Sequence, residues 1–471
     1  MALNLVRNSK VYFTTNVNSS TGVINSTGFT TANTQEIQVL DGFTFSQNTN
    51  SDVVTISEAG VAPVRGQRSF NTSLAPVDFS FSTYVRPYNA TGSITAEESV
   101  LWNALFSANA ISTANTITLG GTVSAATYVF AAGEGTITIT GTAMTYVGLA
   151  VGDVVVISGL TGTSDLTIVN SAATVTALSA TSITLNLVTP KAAGAAITGI
   201  TIGTVKFYKS AWAPVATGYS VVTTGGSNVN QLQKFGMLFV VDTVVYQVDN
   251  CAMNQVTIDF GLDAIATLAW TGQATALTES AITAATIAAG SAAKNTSAPF
   301  ITNKLSTVAF NTLNALGASA AATYTMALTG GSVTINNNIS YVTPANLGVV
   351  NVPAVYYTGT RSITGTINAY LKTGTGVGST GQLLKDMLAA ASSSVEPMAA
   401  LTIVVGGSTN SNKVELVMPS VTFSVPSVDV QQVVSTAINF TAQGYLPSGT
   451  ANANTFDLSE ANDLTVRYYA A

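Results

Sequence analysis

Apolar and polar residues alternate along much of this chain, with the period of two that is typical of β-strands. Residues 77–85 are the clearest case, because the odd positions hold Val, Phe, Phe, Thr and Val while the even positions hold Asp, Ser, Ser and Tyr. Strict alternation predicts a strand with one buried and one polar face. Between residues 107 and 205, short β-branched runs separated by Gly and Ser-Gly turns predict a small all-β sandwich or barrel. We therefore predict a mainly β fold.

Two segments instead show the spacing of a helix. Thr95 and Glu98 have the spacing of a capping box, and Ser379 with Gln382 repeats it. Apolar residues follow each box three and four residues apart: Leu101, Ala104, Leu105 and Ala108 in the first segment, and Leu384, Met387, Leu388 and Ala391 in the second. Each segment therefore predicts a helix with one apolar face, next to the predicted strands.

One pattern occurs twice, in the same order. Residues 43–48, 77–86, 101–105 and 269–273 match, respectively, residues 333–338, 363–372, 384–388 and 439–443. The separation of matching segments is nearly constant for the first three pairs and then shortens sharply, so the first copy carries an insertion. We predict a discontinuous first module (1–106 and 206–275), an inserted all-β domain (107–205), a linker (276–296), a second module (297–446) and a C-terminal polar tail (447–471).

Composition narrows the functional classes. Only 8% of residues are charged and the mean hydropathy is +0.40. The longest charge-free stretch, residues 166–190, is interrupted by Thr, Ser and Asn, so we expect no membrane span. Residues 1–10 lack the pattern of a secretory signal, and we expect assembly in the cytoplasm of the producing cell. A formal net charge of −6 argues against general binding to phosphate backbones.

Candidate catalytic chemistry is sparse. The chain has no His, and Cys251 is its single Cys. These counts remove Ser-His and Cys-His nucleophile pairs and Cys-based zinc sites. The acidic pair Glu97 and Glu98 is interpreted as solvated or helix-capping. We therefore expect no catalytic, metal or cofactor site.

The segment between the strands that begin near residues 43 and 77 is a second candidate for function. Residues 48–76 are rich in Asn, Ser, Gly and Pro, which predicts a long loop. Loops of this length are uncommon in compact domains unless they bind something. Arg65 and Arg68 form a local basic cluster with Arg86, for which we favour an ion pair between subunits over a phosphate site.

Several of these segments resemble the major tail tube protein of long-tailed, non-contractile bacteriophages, in the form whose subunit holds two fused tube modules. The resemblance covers most of the chain outside roughly 107–205 and the tail. It is carried by residues 3–8, 33–37, 57–60, 63–74, 81–84, 101–102 and 330–344.

This resemblance implies a β-sandwich or partial barrel module flanked by a helix, and a structural virion protein with no enzymatic activity. It further implies subunits that join sheet to sheet into rings, which stack into the tail tube and conduct viral DNA into the host. A two-module subunit would close such a ring as a homotrimer with pseudo-sixfold symmetry. The implied partners are further copies of the chain, the tail-tip, tail-terminator and tape-measure proteins, and viral DNA bound transiently without sequence specificity.

Two sets of residues are the candidates for these roles. The predicted loop between subunits or rings is represented by Asn48, Pro63, Arg65, Gly66, Arg68 and Phe70. The predicted lumen-facing residues are Asp78, Ser80, Ser82, Thr364, Thr366 and Asn368. The alternative function is a β-domain surface adhesin or carbohydrate-binding protein, suggested by the Thr/Ala/Gly-rich insertion and disfavoured by the lack of an export signal. A hydrolase ranks third, because no pair of carboxylates stands out.

Overall fold

The computed structural model describes most of the chain. The described residues are 9–57, 65–90, 93–131, 134–161, 171–188, 200–215, 219–224, 231–262, 264–312, 323–372, 379–393, 398–407, 412–424, 427–429, 434–444 and 463–470. The fold is mainly β, as predicted.

Strands in the first quarter of the chain lead into a short helix. They are β1 (Lys10–Thr14), β2 (Thr34–Ile37), β3 (Val39–Ser57), β4 (Arg65–Tyr84), β5 (Pro87–Ala90) and β6 (Ser93–Ala96), followed by α1 (Ser99–Phe106).

A separate seven-stranded antiparallel sheet follows. Its members are β7 (Thr116–Thr118), β8 (Gly120–Ala131), β9 (Glu134–Thr145), β10 (Val154–Thr161), β11 (Ala172–Leu178), β12 (Ser182–Leu187) and β13 (Thr201–Tyr208). Their order across the sheet is β7-β13-β10-β11-β12-β9-β8, and they enclose a hydrophobic cluster of their own. This separation supports the insertion, whose boundaries remain a prediction.

The rest of the chain returns to the main sheet system. Before residue 300 it forms β14 (Trp212–Val215), β15 (Tyr219–Thr223), β16 (Phe235–Val241), β17 (Val244–Gly261), β18 (Thr267–Ala274), β19 (Ala276–Glu279) and α2 (Ala284–Gly290). After it come β20 (Thr307–Thr312), β21 (Thr323–Thr325), β22 (Leu328–Asn336), β23 (Ser340–Val342), β24 (Val355–Tyr357), β25 (Ser362–Tyr370), α3 (Thr380–Ser393), β26 (Met398–Gly406), β27 (Lys413–Phe423), β28 (Ser427–Asp429), β29 (Ser435–Gln443) and β30 (Thr465–Tyr469).

One strand order occurs twice in this sheet system. The first strand set runs β1-β16-β17-β18-β4-β3, and the second strand set runs β20-β26-β27-β29-β25-β22, with every neighbouring pair antiparallel. Even an irregularity is repeated, because the register shifts between Phe235 and Met237 of β16 and between Ala399 and Leu401 of β26. The repeated order supports the predicted duplication.

An aromatic ring covers a glycine at the same place in both sets, but from opposite strands. In the first set Phe79 of β4 lies opposite Gly272 of β18, and in the second Gly365 of β25 lies opposite Phe440 of β29. A Cβ added to either glycine would collide with the facing ring. Each glycine is therefore required by the ring across from it.

The main core lies between the sheet and helix α1. As predicted, Val77, Phe79 and Phe81 are buried while Asp78 is exposed. The Trp102 ring of α1 meets the Trp270 ring edge to face, with centroids 5.3 Å apart. Both indole nitrogens donate within the core: Trp102 Nε1 to the Tyr468 hydroxyl at 2.6 Å and Trp270 Nε1 to Thr83 Oγ1 at 3.0 Å. Buried indoles with satisfied N–H groups fix this packing.

The first capping box is wrong. Thr95 lies in β6, and α1 begins only at Ser99, with Glu98 at the N-cap making no side-chain cap bond. Glu98 is also not solvated, because it is 1% exposed and its Oε1 accepts the Arg86 backbone N–H at 3.3 Å. The Tyr468 side chain, from near the end of the chain, also hydrogen-bonds to this carboxylate, a contact that no local pattern could show.

The second helix agrees better with its prediction. Ser379 Oγ accepts the Gln382 backbone N–H at 3.2 Å, so the predicted cap is confirmed. The predicted apolar face is confirmed at Met387, which is buried, and wrong at Leu388, which is 52% exposed, because α3 buries Leu383 in its place. The face is therefore rotated by about one residue from the prediction.

Residues 48–57 and 65–76, the described parts of the predicted loop, are not a loop. β3 and β4 continue through them as a two-stranded ribbon, paired from Thr49 opposite Leu74 to Ser57 opposite Arg65. We call residues 48–57 and 65–76 the arm. Pairing satisfies the backbone groups that an Asn- and Ser-rich loop would leave to water. Arg68 lies on this arm, whereas Arg86 lies beyond the other end of β4, which ends at Tyr84, about 50 Å along the strand from Arg68 at the usual rise of an extended chain, so the predicted basic cluster does not form.

Two segments predicted to be irregular contain regular structure. The predicted linker, 276–296, includes β19 and α2. The predicted polar tail, 447–471, includes β30, which pairs with β15 and β27 and buries Val466 and Tyr468 completely. The end of the chain is thus part of the core.

Candidate functional site

The two strand sets share one continuous antiparallel sheet of eight strands, in the order β3-β4-β18-β17-β22-β25-β29-β27. We call it the shared sheet. β28 continues β27 along the same edge of β29. The first and second sets meet where the second half of β17 pairs with β22, for example Asp259 opposite Ser332. One sheet therefore spans both halves of the chain.

One face of the shared sheet is buried and the other is polar. We call the second the polar face, and its strands contribute small hydroxyl and amide side chains. They are Thr44, Ser46, Asp78, Ser80, Ser82, Thr267, Thr271, Gln273, Gln255, Thr257, Asp259, Ser332, Thr334, Asn336, Thr364, Thr366, Asn368, Asn439, Thr441 and Thr422.

Hydrogen bonds link these side chains from strand to strand. Thr44 Oγ1 and Ser80 Oγ are 2.7 Å apart, and Thr366 Oγ1 donates to Asn439 Oδ1 at 2.7 Å. The link also crosses the boundary between the strand sets, where Thr257 Oγ1 and Thr334 Oγ1 are 3.0 Å apart. The hydrogen-bonded rows of side chains on the polar face therefore continue across the boundary between the two strand sets.

Its charge is low and negative. Asp78 and Asp259 are the only ionisable members of the polar face as defined, and no Lys or Arg belongs to it. Asp78 Oδ1 accepts a hydrogen bond from Gln273 Nε2 at 3.0 Å, which leaves most of its carboxylate in water. Such a face offers a polyanion no cation to bind and two charges that repel it.

The six predicted lumen-facing residues all lie on this face. Asp78, Ser80 and Ser82 come from β4, while Thr364, Thr366 and Asn368 come from β25. The three strands β18, β17 and β22 separate the two groups. Sequence reasoning missed the polar residues of those strands and of β29, although residues 255–260, 332–336 and 437–441 alternate in the same way. That these side chains face a lumen remains a prediction.

The predicted contact residues lie on the arm. Asn48, Arg68 and Phe70 are exposed, and Phe70 is 52% exposed. Gly66 and Arg65 are paired along the backbone with Ile56 and Ser57. Pro63 lies outside the described residues. Their role in contacts between subunits remains a prediction.

Both ends of the shared sheet have an open edge. In the part of the chain that the structure describes, β3 pairs only with β4, and β28 pairs only with β29. Each open edge presents unpaired backbone N–H and C=O groups, and such edges pair readily with another strand. The sheet is therefore ready to extend at both ends.

Similarity to a known protein accords with this arrangement. No protein-family model matches the chain. Over 450 residues it is 24% identical to tail tube protein pb6 of Escherichia phage T5, in an alignment that covers 94% of this chain and 73% of that protein. The chain is a relative of a siphophage tail tube protein. Because the alignment runs through both strand sets and the inserted sheet, the tail tube likeness extends to nearly the whole chain.

This similarity confirms the resemblance to a tail tube protein that the sequence shows. Among the described residues, no helix has both the length and the apolar character needed to cross a membrane.

Proposed function

We propose that copies of this chain join through the open edges of their shared sheets into a closed ring, and that such rings stack into the phage tail tube. The observation that supports this most directly is the shared sheet itself, which contains two equivalent strand sets and ends in two open edges. Closure into a barrel removes all exposed edges, which a single chain leaves unpaired. With two strand sets in each chain, three copies give a ring with pseudo-sixfold symmetry.

The polar face would then line the lumen through which viral DNA passes. Its hydroxyl and amide side chains bind water well, and its two carboxylates repel phosphates. DNA would move along such a wall without adhering to it. The buried face with α1 lies on the opposite side, where the core stiffens the wall.

The ends and the interior of such a tube define the remaining partners. Tail-tip and tail-terminator proteins would pair with the first and last rings, and a tape-measure protein would occupy the lumen before DNA does. Assembly would take place in the host cytoplasm and the product would remain in the virion. In this function the chain acts by assembly and carries out no catalysis.

Electron microscopy of the purified chain over a concentration series tests the proposal. We expect hollow rods with a regular ring repeat, and threefold symmetry in their end views. Chains that stay monomeric at all concentrations, including in the presence of tail-tip proteins, would contradict it.

The lumen assignment has its own test, in which one charge is reversed on the polar face. Asp259→Lys places a cation on the polar face, whereas Glu279→Lys makes the same charge change at an exposed position of β19 outside it. We expect tubes of the first variant to retain double-stranded DNA at low salt, with an affinity that falls as salt rises. Equal DNA retention by the two variants would refute a lumenal polar face.

A further inference from the structure

Within the chain, the second strand set contacts the first through more than the pairing of β17 with β22. After β22, residues 337–361 fold back over the first strand set, and we call them the clasp. The Asn337 backbone N–H donates to the Asn254 carbonyl at 2.8 Å, and the Ile339 N–H donates to Asn254 Oδ1 at 2.9 Å. The clasp thus extends the junction of β17 and β22 by two further residues.

Two tyrosine side chains add to the contact between the clasp and the first strand set. The Tyr341 hydroxyl lies 2.8 Å from the Asn250 carbonyl and 3.1 Å from that of Gln273. The Tyr356 hydroxyl donates to the Leu232 carbonyl at 2.8 Å, and the two tyrosine rings have centroids 5.7 Å apart. Together they cover a small apolar cluster that includes Leu232, and so shield this end of the junction from water.

The clasp also touches the arm. The Leu74 N–H donates to the Asn351 carbonyl at 2.8 Å, and the Asn351 N–H donates to the Thr72 carbonyl at 3.2 Å. Arm and clasp occupy equivalent places, because each connects the first two shared-sheet strands of its own strand set, β3 with β4 and β22 with β25. Within one chain, the arm therefore lies along the clasp, its equivalent in the second strand set.

The strand registers show which residue of the second set corresponds to Asn254. Met253 lies opposite Gly272 and is followed by Asn254, while Phe423 lies opposite Phe440 and is followed by Ser424. At the repeated register shift, Phe235 lies opposite Cys251 and Ala399 lies opposite Val421. Two residues further on, Met253 is therefore equivalent to Phe423, and Gly272 to Phe440. The sequence match of 269–273 with 439–443 is thus two residues out of register. Ser424 therefore holds the place of Asn254, and it is exposed.

The same counting identifies the arm residues that correspond to the clasp. Phe45 lies opposite Phe79 as Val333 lies opposite Gly365, so the sequence match of 43–48 with 333–338 is also two residues out of register. Six residues further along each strand stand Ser51 and Ile339. Ser51 is exposed, whereas Ile339, its counterpart in the clasp, is 6% exposed.

Apolar exposure is concentrated on the arm in the same region. Val53, Val54 and Phe70 are 55%, 48% and 52% exposed. Phe70 lies opposite Asp52, so Phe70 and Val54 share one face of the arm while Val53 shares the other face with Ser51. Exposed large apolar side chains are typical of a surface that another protein covers. Another copy of this chain offers such a covering surface. It is the part of the second strand set that corresponds to the part of the first strand set beneath the clasp.

We propose that the arm of one copy clasps the second strand set of the next copy, in the way that the clasp holds the first strand set within the chain. This rests on the proposed assembly into rings and adds its register. The β3 edge of one copy pairs with the β28 edge of the next, with Thr44 opposite Asp429 as Ser332 is opposite Asp259. Ser51 then lies against Ser424, and Val53, which holds the place of Tyr341, covers the end of the junction.

Disulfide cross-linking of assembled rods tests this register. Ser51→Cys and Ser424→Cys are small changes at exposed positions, and the native Cys251 is completely buried. Rods assembled from a mixture of the two single variants should give a covalent dimer on mild oxidation, and rods of the double variant should give a ladder up to the trimer. Asn254→Cys with Ile339→Cys is the matched control, because the equivalent contact lies within one chain and should link without forming a dimer.

Several outcomes would overturn the proposal. If wild-type rods form but the mixed variants give no dimer while the control links, the arm does not clasp the next copy, although the tube function stands. If the dimer forms equally from either single variant alone, the contact is not specific for this register. If no rods form under any condition, the ring function fails and this inference fails with it.

Discussion

Neutralising Glu98 should stabilise the chain, and only above a definite pH. Glu98 is buried at the N-terminus of α1, where it accepts the Arg86 backbone N–H and lies beside the Tyr468 hydroxyl. Burial disfavours the charged carboxylate and raises its pKa from an ordinary value of 4.5 to about 7. Glu98→Gln keeps an oxygen acceptor for the Arg86 N–H and removes the charge.

The sign of the pH effect follows from linkage. Below pH 4.5 both folded and unfolded chains hold the proton on Glu98. Between pH 4.5 and about 7 the unfolded chain releases this proton while the folded chain keeps it, so folding becomes less favourable as pH rises. Above pH 7 the folded chain carries a buried charge, and the accumulated loss of stability is about 3 kcal/mol at about 1.4 kcal/mol for each pKa unit.

Thermal unfolding of the unassembled chain between pH 4.5 and 8.5 measures this effect. The midpoint of Glu98→Gln should exceed that of the wild type at pH 8.5, and the difference should shrink towards zero at pH 4.5. Asp78→Asn, a neutralisation at an exposed carboxylate, controls for the change in net charge. A difference between Glu98→Gln and wild type that does not vary with pH would refute the reasoning, because it would mean that Glu98 does not titrate in this range.

Three further predictions concern packing, reactivity and the end of the chain. Gly272→Ala should cost about 1–3 kcal/mol of stability, measured by denaturant unfolding, because the new methyl meets the Phe79 ring; an equal cost for Gly261→Ala, where nothing lies within 4 Å, would contradict this. Burial raises the pKa of Cys251, so its thiol should resist thiol reagents until the chain unfolds, and rapid labelling of the folded chain would disagree. Arg361→Lys should lose the two-pronged bond to Asp463, with contacts of 2.8 and 3.1 Å, and speed amide hydrogen exchange in residues 465–469; unchanged exchange there would rule out this anchor.

The sequence predicts the structure well where the residue pattern of a single strand reflects the environment of that strand. Residues 77–85 alternate because their sheet has one buried and one polar face, so both the strand and its exposed Asp78 could be predicted. Prediction from the sequence fails where the partner is distant in sequence. The Asn- and Ser-rich composition of the arm predicts a loop, whereas its two halves pair with each other as strands. The contact of Glu98 with Tyr468 likewise joins residues that are far apart in sequence.

The polar face shows the same division. Its members on β4 and β25 were predicted from their own alternation and from the resemblance. Those on β17 and β22 were not, because nothing local indicates that these two strands, from different halves of the chain, lie side by side. The registers that fix the proposed contact of Ser51 with Ser424 likewise require the observed pairing of strands.

The exchange of ring and glycine between the two strand sets limits how this chain can evolve. Phe79 with Gly272, and Gly365 with Phe440, are each matched across one strand pair. Recombination that moved a single strand between the halves would bring two rings together in one half and leave two glycines facing each other in the other. Genetic exchange between the halves is therefore expected to preserve whole strand pairs, and lineages in which the ring has changed sides should have passed through a change at both positions.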